Sequence, residues 1–196
     1  MVKYFLSFLI GLLFGIVPFS YMLGMLRGVD IRKTGSGNIG ATNLGRNLGF
    51  PFFVLGFLLD ALKGVVPVIL SQSLLDTGTF AGAGAILGHI FNPFFGFRGG
   101  KGVATTIGVA VSLAAKSFGL SLGIWLLVYL TTMLVSLASL CFAVALPLFS
   151  FILHDGAVAD RLLFILVAIM VFFAHRHNIE RLLRGREPKT VLWRRK

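Results

Sequence analysis

Long apolar runs, separated by short polar segments, set the pattern of this sequence. A helix needs about 20 mostly apolar residues to cross the hydrocarbon core of a membrane, with a range near 17 to 25. The pattern predicts membrane spans over residues 4–26, 51–70, 79–97, 103–115 and 162–174. The first run is too long for a signal-peptide core and is expected to be retained as a span. The fourth is short and rich in Ala, Gly, Thr and Ser, which predicts a helix packed among other helices.

The longest apolar run, residues 118–153, poses a problem of length. As a single helix it would extend about 54 Å at 1.5 Å per residue, against a hydrocarbon thickness of roughly 30 Å. We therefore expect this run to cross the membrane twice, with a turn near residues 136–139. Each half then has about 17 residues, the lower limit for a span.

Positive charge is unevenly distributed among the polar segments. Residues 27–50, 98–102 and 175–196 hold 14 of the 18 lysine and arginine residues. Such segments tend to stay on the cytoplasmic side, so these three are expected to share it. An even number of crossings must then separate them, which requires both crossings in the long run. The prediction is an all-α integral membrane protein of seven transmembrane helices, N-terminus outside and C-terminus cytoplasmic, forming a single domain over residues 1–196.

Composition agrees with this class. Hydrophobic residues make up 57% of the chain and charged residues 13%, whereas soluble domains have roughly 45–50% and about 25%. The apolar segments are continuous rather than alternating, which favours helices over a barrel. The net charge of +11 is better explained by cytoplasmic loops than by nucleic acid, so no nucleic-acid partner is expected. The single cysteine, Cys141, can form no internal disulfide.

A glycine-rich polar stretch follows the first span. It contains no acidic residue, and two cations, Arg32 and Lys33, precede it. Glycines let backbone N–H groups approach a ligand, and successive N–H groups form a concavity that suits anions. This favours a phosphate-binding loop, although many glycine-rich turns are only turns. The stretch reads Ser36-Gly37-Asn38-Ile39-Gly40-Ala41-Thr42-Asn43-Leu44-Gly45-Arg46.

A second glycine-rich turn opens directly into the predicted helix at residue 103. It reads Arg98-Gly99-Gly100-Lys101-Gly102. A helix N-terminus offers unpaired N–H groups and a partial positive charge, which together make an anion site. The spacing of a nucleotide-binding P-loop is absent, so nucleotide hydrolysis is not expected. The two cations either bind phosphate or anchor the turn at the interface, and His89 upstream is either a packing residue or a site residue.

The third polar segment begins where the last span ends, with His175-Arg176-His177-Asn178. His175 and Asn178, three residues apart, would share one helical face at the interface. A histidine there can serve as a general base or as a donor to phosphate. A functional role is better supported for His175 than for His177. A basic segment after a final span also anchors to anionic lipid.

Asp60 and Lys63 lie inside the second predicted span, where charges are costly and tend to pair or to mark function. At a spacing of three residues they can neutralise each other, and we favour a structural ion pair. The chain shows no Ser-His-Asp arrangement, no H-x-x-x-x-D acyltransferase signature and no metal-ligand spacing. No metal and no cofactor are therefore expected.

Taken together, the three motifs carry a resemblance that covers essentially the whole chain. They are Ser36 to Asn43 with Arg46, Phe97 to Thr105, and His175 to Asn178 with Gly185-Arg186-Glu187. In this order and spacing the chain closely resembles the bacterial acyl-phosphate:glycerol-3-phosphate acyltransferases, the PlsY family. The resemblance implies transfer of an acyl chain from acyl phosphate, rather than from acyl-CoA or acyl-carrier protein, to the 1-hydroxyl of glycerol 3-phosphate. The products implied are lysophosphatidic acid and inorganic phosphate.

The resemblance also implies an environment and a set of roles. It places the protein in the bacterial cytoplasmic (inner) membrane, surrounded by lipid, with its site on the cytoplasmic side and no obligate protein partner. Catalytic roles fall to His175, Asn178, Ser36 and Lys101. The first motif would hold the phosphoryl group of the acyl phosphate, and Arg46 and Lys101 would bind the glycerol 3-phosphate end. Substrate-binding roles fall to Gly37, Asn38, Gly40, Thr42, Asn43, Arg46, Arg98, Gly99, Gly100, Gly102, Thr105, Ser139 and His89.

No serine or cysteine with a matching base stands out, so direct transfer is favoured over an acyl-enzyme. The base is either His175 or a phosphate oxygen of a substrate.

A membrane carrier or channel for phosphate or another small anion is the main alternative to an acyltransferase, but a carrier predicts charge distributed along a path across the membrane. A lipid phosphotransferase would need an acidic metal site, and the chain has only seven Asp and Glu residues.

Overall fold

The computed structural model describes residues 1–191, and every regular element in that range is helical. The chain divides into two compact units, Met1–Val109 with Val191, and Ala110–Thr190. A short 3₁₀ helix, Pro93–Phe95, follows α5. The α-helices in the described range are α1 Val2–Gly15, α2 Phe19–Leu26, α3 Ala41–Leu48, α4 Phe50–Leu75, α5 Gly78–Ile90, α6 Val103–Leu113, α7 Ala115–Thr132, α8 Val135–Ile152, α9 Val158–Ala174 and α10 Arg176–Leu183.

Four helical stretches of residues 1–191 are long and apolar enough to cross a membrane. They are Val2–Leu26, which combines α1 and α2, and then α4, α7 and α8. A fifth stretch combines α9 and α10, which meet at a bend of 62°. The all-helical, membrane-type architecture expected from the sequence is thus present, while the count of seven spans and the sidedness stay predictions. The last five residues of the predicted cationic tail lie outside the described range.

The first predicted span is broken. α1 ends at Gly15 and α2 begins at Phe19, because Pro18 lacks the N–H needed to continue a helix. Side chains from elsewhere in the first unit bind the backbone carbonyls at this break. Lys63 Nζ donates to Val17 O at 2.8 Å, and Asn92 Nδ2 donates to Ile16 O at 2.7 Å. The break is therefore held in place by side chains from α4 and from the segment after α5.

Glycines on α1 and α5 bring these two helices into close backbone contact. A Cβ added at Gly11 or Gly15 would overlap the backbone of Ala81 or Ala85. A Cβ added at Gly84 would in turn overlap the backbone of Phe8. Small residues at such an interface are what permits two membrane helices to approach closely.

The same device joins α6 to α4. A Cβ at Gly108 would overlap the backbone of Ala61, and one at Gly64 would overlap that of Thr105. Thr105 and Val109 are completely buried. The expectation that this short helix packs among other helices is confirmed.

The predicted third span is too long at its end. α5 ends at Ile90 rather than at residue 97, because Asn92 precedes Pro93 and a residue in that position is pushed out of the helical conformation. Asn92 instead caps the 3₁₀ helix, its Oδ1 accepting the Phe94 N–H at 3.0 Å. The residues after Ile90 therefore leave the α-helix and lead to the second motif.

In the second unit the long apolar run forms a helical hairpin of α7 and α8. The turn lies at Met133 and Leu134, ahead of the predicted residues 136–139. Met133 adopts a left-handed conformation (φ 59°), and the Thr132 hydroxyl accepts the Leu134 N–H at 3.2 Å. No glycine or proline marks this turn in the sequence, which explains the displacement.

Two further boundaries move for a common reason. α7 begins at Ala115, although residues 116 and 117 were expected in a loop, and Asp155 accepts the N–H of Ser117 at 2.8 Å. α9 begins at Val158, four residues early, and Asp160 accepts the N–H of Ala157 at 2.8 Å. In both cases a carboxylate binds a free N–H group at the start of a helix, where acidic side chains stabilise.

The α1–α5 contact predicts opposite effects of one substitution at two glycines. Gly84→Ala should destabilise by about 1–3 kcal/mol, because the new methyl overlaps the α1 backbone. Gly123→Ala on α7 meets nothing within 4 Å and gains helix propensity, so it should be neutral or slightly stabilising. Thermal unfolding of both variants in detergent checks this, and equal transition temperatures would contradict the packing described.

Candidate functional site

The first glycine-rich loop is organised by one side chain, Asn43, which is only 2% exposed. Its Oδ1 accepts the Ser36 N–H at 2.9 Å. Its Nδ2 lies within hydrogen-bond distance of three backbone carbonyls, at 2.7 Å from Ile31, 3.1 Å from Thr34 and 2.9 Å from Asn38. One buried amide thus gathers both ends of the loop around itself. A buried polar network whose groups are hydrogen-bonded in this way rigidifies the segment that it binds.

The remaining residues of the first motif surround this amide. Ser36 and Gly37 are exposed, and Gly37 has a positive φ of 71° that suits glycine. Asn38 Oδ1 accepts the Gly40 N–H at 3.0 Å, just before α3 begins. Thr42 and Arg46 are half-buried on α3, in its first and last turns. The N–H groups of Ser36, Gly37 and Gly40 are thus bound within the loop itself. The loop leads into the N-terminus of α3, with Thr42 in the first turn, and a helix N-terminus suits an anion.

Arg32, one of the two cations that precede the motif, has a local structural partner. It forms a bidentate ion pair with Asp30, with the closest nitrogen and oxygen 2.7 Å apart. Its guanidinium also lies over the rings of Tyr21 and Phe95, at 4.9 and 5.6 Å from their centroids. The hydrogen bond from Arg32 lowers the pKa of Asp30 to about 2. Arg32 thus links the loop before the first motif to the 3₁₀ helix before the second.

The second glycine-rich loop folds back onto the end of α5. The Gly99 N–H donates to Ile90 O at 2.9 Å, and the Gly100 N–H donates to His89 O at 3.0 Å. A Cβ at Gly99 would overlap the His89 carbonyl, and one at Gly100 would overlap the His89 ring. Glycine is therefore required at both positions by close approach.

The loop then enters α6. Gly102 has a φ of 81°, and Val103 begins the helix. Arg98 is exposed, Lys101 is half-buried, and Thr105 in the first turn is fully buried. The predicted order of a cationic glycine-rich turn followed by a helix N-terminus is present in the structure. That arrangement suits a phosphate group.

A buried charge cluster lies in the same unit. Lys63 Nζ and Asp60 Oδ1 are 3.0 Å apart, and both side chains are almost completely buried. Ser20 donates to the other oxygen of Asp60 at 2.7 Å, and His89 Nδ1 lies 3.9 Å from Asp60 Oδ1. The predicted ion pair is confirmed, and it is joined by a serine and a histidine. Within residues 1–191 no group of three or more His, Cys, Asp or Glu side chains is arranged to hold a metal ion.

The third motif lies at the bend between α9 and α10, in the second unit. His175 is 2% exposed, and its Nδ1 lies 2.9 Å from Val171 O. Because a carbonyl only accepts, Nδ1 carries the proton, and Nε2 is the acceptor nitrogen of the neutral ring. In the neutral ring, this contact selects the tautomer that a general base would need. His177, two residues on, is exposed.

Asn178 is held by Glu187, which belongs to the third motif but has no role predicted from the sequence. Its Nδ2 donates to Glu187 Oε1 at 2.6 Å, and Arg181 Nε donates to Glu187 Oε2 at 2.7 Å. Burial alone would raise the pKa of Glu187, but hydrogen bonds from Arg181, Asn178 and Ser136 hold it below its ordinary value. A carboxylate at this position fixes the orientation of the amide. The pairing of Glu187 with a buried asparagine nine residues away leaves no periodic signal in the sequence.

The chain after α10 is tied back to the hairpin of the same unit. Tyr129 donates to Thr190 O at 2.9 Å, and the Thr190 N–H donates to Met133 O at 2.9 Å. Ser139, one of the expected substrate-binding residues, is buried on α8, with Trp125 Nε1 3.4 Å from its hydroxyl. The turn of the hairpin and the segment around Glu187 therefore form one hydrogen-bonded region within this unit.

Comparison with known proteins gives consistent matches along most of the chain. The family model described as "Glycerol-3-phosphate acyltransferase" matches residues 5–185. The glycerol-3-phosphate acyltransferase of Aquifex aeolicus is 39% identical over 181 residues, covering 90% of this chain and 94% of that protein. That of Mesorhizobium japonicum is 42% identical over 186 residues, covering 94% of each.

Solved structures agree with the sequence relatives. The glycerol 3-phosphate form of PlsY (YgiH), an integral membrane glycerol 3-phosphate acyltransferase, is similar with a TM-score of 0.90 and 37% identity. It covers 95% of this chain and 94% of that one. The lysophosphatidic acid form of the same protein gives a TM-score of 0.88 over the same shares. With sequence, fold and motifs in accord, this chain belongs to the glycerol-3-phosphate acyltransferase family.

Proposed function

We propose that this protein transfers an acyl chain from acyl phosphate to the 1-hydroxyl of glycerol 3-phosphate, giving lysophosphatidic acid and inorganic phosphate. The main support is the likeness to PlsY, whose solved forms are named for glycerol 3-phosphate and lysophosphatidic acid. These two compounds are the acceptor and the product of the proposed reaction. The choice of acyl phosphate as donor rests on the motif resemblance and on two glycine-rich loops suited to phosphate.

In the first unit we assign the loop around Ser36 to the phosphoryl group of the donor. The hydroxyls of Ser36 and Thr42 and the N-terminus of α3 supply the interactions with phosphate, with Gly37, Asn38 and Gly40 shaping the backbone. We assign Asn43 to the shape of the loop, since its amide is bound to loop backbone atoms. Arg46 and Lys101 bind the phosphate of the acceptor, assisted by Arg98, Gly99, Gly100, Gly102 and Thr105 at the start of α6.

In the second unit we assign His175, Asn178 and Ser139 to the acceptor. Asn178 donates through Nδ2 to Glu187, so the orientation of its amide is fixed within the proposed acceptor site. His175 offers Nε2 as an acceptor, since Nδ1 donates to Val171 O. Both side chains are buried, which strengthens their electrostatic interactions.

The proposed reaction is a direct displacement. The oxygen of the glycerol 3-phosphate 1-hydroxyl attacks the acyl carbonyl carbon and forms the ester bond. The bond between that carbon and the phosphate oxygen breaks, and its electron pair leaves with inorganic phosphate. The hydroxyl proton passes either to His175 Nε2 or to a phosphate oxygen of a substrate. N–H and cationic groups stabilise the developing oxyanion and the leaving phosphate.

We further propose that residues 1–196 form one acyltransferase domain with seven spans, the N-terminus outside and the C-terminus cytoplasmic. The location proposed is the bacterial cytoplasmic membrane, with the site on its cytoplasmic side. The uneven distribution of Lys and Arg supports this sidedness. An anion carrier is the weaker proposal, because the glycine-rich cationic loops are gathered in the predicted cytoplasmic segments.

The donor is tested directly by assaying the purified protein with glycerol 3-phosphate and either acyl phosphate or acyl-CoA. We expect lysophosphatidic acid and an equal amount of released phosphate from acyl phosphate, and no product from acyl-CoA. Product from acyl-CoA alone would contradict the donor. An absence of product from both donors, together with uptake of phosphate into vesicles containing the protein, would favour the carrier.

The acceptor assignment is tested by Arg46→Ala and Lys101→Ala. Each should raise the KM for glycerol 3-phosphate by about tenfold or more, because a charge-assisted hydrogen bond is worth roughly 1.5–3 kcal/mol. Lys116→Ala is the matched control, since Lys116 is exposed on α7 and has no proposed role. An unchanged KM and rate in both test variants would contradict the assignment.

The proton acceptor is tested by His175→Ala. If His175 is the base, kcat should fall by about 10²–10⁴-fold and the acid limb of the pH–rate profile should disappear. If a substrate phosphate takes the proton, kcat should fall far less and the profile should keep its shape. Near-normal turnover in the variant would exclude the histidine as base.

A further inference from the structure

The buried charge cluster, defined as Asp60, Lys63, Ser20 and His89, has no part in the chemistry proposed above. Lone charges in a low-dielectric interior are expensive, and even paired ones often stabilise less than apolar residues of similar volume. Asp60, Lys63 and His89 are each no more than 5% exposed. Stability alone is therefore a poor reason for placing these groups together, and their contacts indicate another use.

One set of contacts leads to the first motif. Lys63 Nζ binds Val17 O at the break before α2, and Asp60 accepts from Ser20 in the first turn of α2. Both ends of the ion pair thus hold the short helix that leads into the loop before Ser36. A Cβ at Gly56, one turn before Asp60 on α4, would lie 2.7 Å from the Ser20 hydroxyl, so α2 and α4 are in close contact here.

The other set of contacts leads to the second motif. His89 faces Asp60 with its Nδ1 at 3.9 Å, and its ring lies against Gly100. The backbone of His89 and Ile90 accepts the N–H groups of Gly100 and Gly99. The imidazole is therefore packed between the ion pair and the loop that carries Lys101.

We propose that Asp60, Lys63 and His89 are positioning residues that hold the two glycine-rich loops in the geometry needed to bind phosphate. They act through Val17, Ser20 and the Gly99–Gly100 backbone without touching substrate, which replaces the substrate-binding role that the resemblance implied for His89. A single buried cluster then determines the geometry of both loops. A change in the cluster should therefore raise the KM for the acceptor more than it lowers kcat. This inference rests on the proposed function, because it assumes that the loops bind substrate phosphate.

The principal test removes the charges while keeping the volume, with the double variant Asp60→Leu/Lys63→Met. Replacing both members of a buried pair by apolar residues is often tolerated by the fold, whereas removing one leaves an uncompensated charge. We expect the KM for glycerol 3-phosphate to rise by about tenfold, corresponding to roughly 1.4 kcal/mol of lost loop organisation, with kcat changed by less than about threefold. Thermal unfolding in detergent is measured on the same samples.

The matched control is Ser7→Ala. Ser7 is completely buried and hydrogen-bonded to Thr77, which precedes α5, whereas His89 lies near the end of that helix. This variant loses a buried polar contact between elements of the same unit, away from the loops. It should lower the unfolding temperature without altering KM. A KM increase in Ser7→Ala equal to that of the double variant, at the same loss of stability, would overturn the proposal, as would an unchanged KM in the folded double variant.

A second pair of variants decides the matter if the double variant does not fold. His89→Leu removes the imidazole's polar contact with the cluster, and His89→Gln keeps a polar group of similar reach. We expect a raised KM in the first and partial restoration in the second. Equal, wild-type KM values in both would overturn the proposal.

Direct binding of radiolabelled glycerol 3-phosphate to the wild-type protein separates a failure of the positioning proposal from a failure of the proposed function. Binding without acyl transfer contradicts the proposed function and leaves the positioning test to be read from affinity.

Discussion

The break between α1 and α2 imposes the constraint on which the first unit depends. Backbone groups in an apolar membrane interior must be satisfied by the protein itself, because no water is present to bind them. Here the carbonyls of Ile16 and Val17 are bound by Asn92 and Lys63. Asn92 lies in the segment after α5, and Lys63 lies on α4. Because these side chains bind the two carbonyls, the hydrogen bonds also fix both elements against the break between α1 and α2. Lys63 in turn needs Asp60, and Asp60 brings Ser20 and His89 with it.

The first and third motif regions each contain a polar side chain that holds the surrounding protein in place. Asn43 binds backbone atoms of the first loop, and Glu187 binds Asn178 and Arg181 in the second unit. A loop shaped in this way loses little conformational freedom when a ligand arrives, which favours affinity. In the proposed function, contact with phosphate falls to helix N-termini, cations and the hydroxyls of Ser36 and Thr42. These groups recognise phosphate by its charge and geometry and do not depend on the acyl chain.

The sequence predicts the class of fold well and the ends of elements poorly. Continuous apolar runs identify the membrane helices, and the small residues of α6 correctly indicate a packed helix. The turn at Met133 was misplaced because no glycine or proline marks it, and the end of α5 was misplaced although Asn92-Pro93 signalled it. Carboxylates that start helices, such as Asp155 and Asp160, act through tertiary or capping contacts that hydrophobic pattern does not record.

The sequence identifies the residues of the candidate site better than it identifies the role of each. The three motifs stand out because glycine, small polar and cationic residues interrupt an apolar chain. The sequence indicated that Asn43 belonged to the first motif, but only the structure shows that its amide is bound to loop backbone atoms. Glu187 was identified as part of the third motif but without a role, because its contact with Asn178 depends on the fold and not on spacing. Asp60 and Lys63 were recognised as a pair, whereas their link to both loops depends on helices distant in sequence.

The spacing of Asp60 and Lys63 within one helix also bears on how the chain is made. A membrane helix that enters lipid before neighbouring helices surround it must carry its own charges into the hydrocarbon. A lone charge at the centre of such a segment costs about 2.5–3.5 kcal/mol on insertion scales. Two opposite charges one turn apart can neutralise each other within the segment itself, so the helix carries its own counter-ion into the bilayer. Mutational drift at either position is therefore constrained by the other, and during evolution the two positions should be lost or exchanged together.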